Sequence, residues 1–130
     1  MHAAAAGLAA LLLAAPAVAT APEQPVTVHL RLDERPHGSR AERARVRDLE
    51  YALMERLAGG AGRLVRDEWR DGFCVLHLAG PDARALWAAV EPAVRAAGPR
   101  PGSYAVLRAG PEGAPEERIP LGAGAVTPPR

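Results

Sequence analysis

The side chains best equipped for chemistry are two histidines, His29 within Val26-Thr27-Val28-His29-Leu30-Arg31-Leu32 and His77 within Phe73-Cys74-Val75-Leu76-His77-Leu78. His29 occupies a polar position in an alternating run and so faces away from the core, while His77 lies in a mostly apolar strand on the face it shares with Phe73 and Val75. Side by side on one sheet face, they would offer two imidazoles to a metal with Glu68 as a third ligand. The same face could instead receive a carboxylate or phosphate, with Arg31, Arg66 and Arg108 nearby. Two ligands fall short of a closed metal site, and the commoner fate of such residues is an ordinary place on a solvated surface. Metal binding at His29 and His77 is therefore the weaker candidate.

No catalytic residue is assigned. The chain has no Gly-x-Ser-x-Gly elbow, phosphate loop or His-Glu-x-x-His motif. Ser39 is better used as a helix cap, Ser103 opens a strand, and Cys74 points into the core. Asp67-Glu68 and Glu116-Glu117 are adjacent pairs, which extended backbone sends to opposite faces, so neither forms a carboxylate dyad. Trp69 and Trp87 read as core or rim residues. A non-enzyme without a cofactor is expected.

The elements that position these residues follow from pattern. Val26, Val28, Leu30 and Leu32 face inward on the first strand. Ser39-Arg40-Ala41-Glu42 is a capping box, which starts a helix with an apolar stripe of Val46, Leu49, Leu53 and Leu57, and Met54 beside it. Gly59-Gly60 ends that helix. Arg63 to Trp69 reads as a charged edge strand, joined to the Phe73 strand by an Asp71-Gly72 hairpin turn. On that strand Cys74, Leu76 and Leu78 share one face; Phe73, Val75 and His77 share the other. Gly80-Pro81-Asp82 opens a second helix buried through Leu86, Trp87, Val90, Val94 and Ala97, with an irregularity expected between Ala88 and Pro92. Ser103 to Arg108 is the next strand, and Glu116 to Leu121 is a short terminal edge that tolerates Pro120.

Composition bounds the function. All 16 basic residues are arginine, against 15 acidic ones, so the formal net charge of +1 provides no general field for nucleic acid or an anionic membrane. A single cysteine excludes an internal disulfide. Residues 3–21 are an apolar, alanine-rich run ending in Ala17-Val18-Ala19, the grammar of a cleaved leader with its cut between Ala19 and Thr20. The expected organisation is a leader over residues 1–19, a linker over 20–25, one domain over 26–121 and a disordered tail over 122–130. Such a chain is secreted or periplasmic, with no stable membrane insertion once the leader is removed. A misassigned start codon would make it cytoplasmic.

The order strand, helix, strand, strand, helix, strand across residues 26–108 resembles the ferredoxin-like, or split β-α-β, fold. That resemblance implies an α+β sandwich: a four-stranded antiparallel sheet with both helices on one face, plus the extra terminal edge strand. Gly80-Pro81-Asp82-Ala83 and Arg108-Ala109-Gly110-Pro111 are also similar to turns in small uncharacterised bacterial proteins, a likeness that implies no activity. Gly72-Phe73-Cys74-Val75-Leu76 looks like the third-strand motif of RNA-recognition modules of this topology, but Val75 and His77 stand where stacking aromatics are needed. No nucleic acid is therefore expected. What remains is an interaction surface. Phe73, Val75, Tyr104 and Val106, with Leu64 at the side, are expected to expose an apolar patch on the open sheet face. His29, Arg31, His77 and Arg108 complete that face, and its expected use is homodimerisation first, with docking of another protein partner second.

Overall fold

Strict alternation makes the first strand. In the computed structural model, which describes residues 22–33 and 36–122, β1 spans Gln24–Arg31, with Val26, Val28 and Leu30 buried and Thr27 and His29 on the opposite face. It starts earlier than the expected domain boundary and takes in Gln24 and Pro25. The leader, its Ala19–Thr20 cut and residues 123–130 lie outside the described residues.

Helix α1 spans Arg40–Leu57 and begins with the capping box: the Glu42 N–H donates to Ser39 Oγ and the Ser39 N–H donates to Glu42 Oε1. Strands β2 (Arg63–Arg70) and β3 (Phe73–Gly80) are joined by Asp71-Gly72, with φ of 51° and 77°, the positive values that a primed hairpin turn requires. Helix α2 spans Ala83–Ala96 behind the Asp82 N-cap. It stays helical through Pro92. Pro92 and Ala88 are both exposed, so the carbonyl that loses its donor faces water. Strands β4 (Tyr104–Leu107) and β5 (Glu117–Pro120) close the chain.

The strands form one antiparallel sheet in the order β2-β3-β1-β4-β5. This is the ferredoxin-like arrangement with a fifth strand at one edge. Both helices cover one face, and their stripes meet the inward residues of β1, β3 and β4 in a core that includes Val28, Leu53, Leu76, Leu86, Val90 and Leu107. Burial of this set is the main stabilising term. Met54, read as flanking the stripe, is 49% exposed.

The pairing of β2 with β3 contains one irregularity. Leu64 faces Leu78 and Arg66 faces His77, so Val65 is an extra residue and bulges out of the ladder. Without the bulge, Leu64, Arg66 and Glu68 would share one face. With it, Leu64 stays on the core side while Arg66 and Glu68 turn to the open side. Leu64 therefore packs against the core and is not part of an open-face patch.

Candidate functional site

The open sheet face is built in rows across the strands. The central row is Glu68 on β2, Val75 on β3, His29 on β1 and Tyr104 on β4. The next row is Arg66, His77, Thr27, Val106 and, on β5, Arg118. Phe73 and Arg31 pair beyond the first row, and Arg108 follows β4 at the other end.

His29 and His77 are thus diagonal neighbours, since His29 faces Val75 and His77 faces Thr27. Each has its own partner. The His77 Nε2 lies 2.7 Å from Glu68 Oε1, while the His29 Nε2 is hydrogen-bonded to Thr27 Oγ1 at 3.0 Å. Among the described residues no three His, Cys, Asp or Glu side chains come together to hold a metal ion. The bond from His77 holds the Glu68 carboxyl below its usual range; burial opposes this, and Arg70 and Arg66 support it. Burial pushes His29 below its ordinary 6.5, helped by the charges of His77, Arg118 and Arg70 and opposed by Glu68. His29 is therefore neutral at neutral pH, and its contribution to stability declines as the pH falls through 6.5.

Aromatic contacts organise the middle of the face. His29 stacks on Tyr104 at 4.3 Å with the rings 10° from parallel, and Phe73 meets Tyr104 edge-on at 6.0 Å. The Arg118 guanidinium lies 3.6 Å from the Tyr104 ring centre, and that of Arg31 lies 5.6 Å from the Phe73 ring centre. Val75, expected at the centre of an exposed apolar patch, is only 2% exposed, and Phe73, Tyr104 and Val106 are half-buried. The middle of this face thus presents guanidinium and ring edge rather than an exposed Val75.

The arginines on this face differ in their company. Arg66 and Arg70 share Glu68, Arg63 pairs with Glu23, and Arg108 pairs with Glu116 at 2.5 Å. Arg31 and Arg118 have no carboxylate among the described residues and rest on aromatic rings instead. Sequence reasoning singled out Arg31 and Arg108 but not Arg118. The cue was available in the alternation of Glu117-Arg118-Ile119 on a terminal strand, but that strand's register against β4 was not.

A second feature lies on the helix side. The bulge turns Asp67 inward, where its carboxyl meets that of Glu50 on α1 in a groove also lined by His37, Arg43, Arg47 and Trp69. Burial, with the hydrogen bond and charge of Asp67, raises Glu50 to about 7 against the pull of Arg47. The same burial and carboxylates push the Cys74 thiol up to about 12, which keeps it protonated. A raised carboxyl contributes its stability fully below 4.5 and loses it as the pH rises through about 7. Glu50→Gln keeps a donor for Asp67 and removes the second charge. It should stabilise the fold by about 1 kcal/mol at about pH 8, once solvent screening is allowed for, and leave it unchanged near about pH 4. Urea unfolding at the two pH values measures this, and an equal effect at both would refute the shared proton.

No family model matches the chain, and neither a curated protein nor a solved structure matches it. Among the described residues no helix is long and apolar enough to cross a membrane.

Proposed function

We propose that this chain is a non-catalytic binding module that receives a protein partner on its open sheet face. The observation that carries this reading is the pair Arg31 and Arg118, two guanidiniums on the open sheet face that have no carboxylate among the described residues and rest on Phe73 and Tyr104. Stacking fixes a guanidinium while its N–H edges stay free, an arrangement suited to bidentate recognition of an incoming acceptor. A second copy of the chain is the less supported occupant. Val75, which would anchor it, is covered, and two such faces would bring arginines of like charge together.

Arg118→Glu reverses one of these charges at an exposed position. Proteins captured from an extract by the immobilised wild type should be lost with Arg118→Glu and retained with Arg45→Glu, a matched change on the exposed side of α1. Identical capture by both variants would remove the sheet face from consideration. Sedimentation of the wild type should show a monomer over the accessible concentration range.

A further inference from the structure

The chemistry of the partner can be narrowed, on the assumption that the sheet face is the binding surface. We infer that its occupant is an acidic polypeptide segment, two of whose carboxylates are taken by Arg31 and Arg118.

Three observations favour carboxylates on a peptide over the other anions and over a second copy. The first is the state of the aromatic rings. His29 on β1 and Arg118 on β5 flank Tyr104 on β4 from opposite sides, at 4.3 and 3.6 Å, so neither ring face is free to stack a nucleobase. The second is the number of uncommitted cations. Binding to a nucleic-acid backbone draws on many phosphate contacts, whereas here two guanidiniums stand without a carboxylate among the described residues. Two discrete carboxylates match two discrete forks. The third is the fixed acidic charge on the same face. Glu68, held ionised by His77 with Arg70 and Arg66, and Glu116 beside Arg108 would oppose a continuous phosphate chain, but an extended peptide can present neutral residues to them.

The experiment titrates the isotope-labelled full chain with three probes, following backbone amide shifts by NMR. The probes are a Glu/Asp-rich peptide, the same peptide with Gln and Asn at every acidic position, and a thymidine oligonucleotide. The acidic peptide should shift the amides around His29, Phe73, Tyr104 and Arg118, and its affinity should fall as salt rises. Arg31→Gln and Arg118→Gln should each weaken binding about tenfold, while Arg45→Gln leaves it unchanged. Circular dichroism of each variant confirms that the fold is kept.

Equal binding of the neutral peptide overturns the role of the carboxylates, and tighter binding of the oligonucleotide at the same residues overturns the choice of polypeptide. Shifts at these residues on raising protein concentration alone would identify a second copy as the occupant and overturn the inference. Failure of the acidic peptide also overturns it. If capture is still lost with Arg118→Glu, the sheet-face reading survives that failure; if both experiments fail, the reading falls too.

Discussion

Glu42→Ala should lower the unfolding free energy by about 2–4 kcal/mol, the cost of leaving buried backbone donors without an acceptor. Glu42 is only 7% exposed, yet its carboxylate ties three segments together. Oε1 accepts from the Ser39 N–H at 2.9 Å and the Asp33 N–H at 3.1 Å; Oε2 accepts from the Asp33 N–H at 2.9 Å and from Arg100 Nε at 3.1 Å. The end of β1, the cap of α1 and the loop before β4 are thereby held by one side chain. Burial disfavours the charge, but the N–H groups of Ser39 and Asp33 and the Arg100 guanidinium outweigh it and hold the carboxyl below its ordinary 4.5. A depressed carboxyl contributes its stability above the unfolded value and loses it as the pH falls through the lower folded one. The variant should therefore lack part of the wild type's acid sensitivity below 4.5. Urea unfolding at neutral and acid pH measures both effects. A neutral-pH loss under about 1 kcal/mol would show that water replaces these bonds readily.

Gly80→Ala should cost about 3 kcal/mol, at the upper end of the range for overpacking, because backbone rather than a movable side chain stands in the way. A Cβ at Gly80 would fall on the carbonyl oxygen of Ala61, with the Gly62 Cα at 3.1 Å; one at Gly62 would meet the Ala79 carbonyl and Leu86. The two glycines let the start of β2 cross close over the end of β3. Any widening there also moves Leu64 and Leu86, which pack in or against the core. Gly59→Ala is the matched control, since a Cβ there meets nothing within 4 Å. It should change stability by less than about 0.5 kcal/mol. Equal losses at the two positions would rule out close approach as the cause, since the entropy change of Gly→Ala acts in the stabilising direction.

The candidate site was half legible in the chain. His29, Arg31 and His77 lie on the open face, Arg108 follows β4 and pairs with Glu116, and Glu68 reaches His77 as the ligand reading needed. Their convergence was not legible, because it depends on register. A slip that places His77 opposite Thr27 rather than His29 separates the imidazoles and gives each a different partner. Arg118 was missed because the long loop from Arg108 to Glu116 does not encode where β5 will lie against β4. The Glu50–Asp67 contact was missed because it joins a helix flank to a strand across an unsuspected bulge.

Local chemistry determined the elements. The capping box at Ser39, the positive φ values at Asp71-Gly72, the Asp82 cap and the alternation of β1 and β3 concern residues a few positions apart, where sterics and hydrogen bonding act on the chain without help from the rest of the fold. Together with the apolar stripes, they dictated the succession of helices and strands along the chain. Two matters waited for the tertiary structure. The extra residue at Val65 decides which side Glu68 and Asp67 face, and only pairing against β3 reveals that it is extra. The aromatic cluster arises because His29 and Tyr104 stack across neighbouring strands while Arg118 closes over the ring from the far edge, and Val75 is buried in the same row between His29 and Glu68. Both depend on contacts between residues distant in sequence, and those contacts turned an expected apolar patch into a face of oriented guanidiniums.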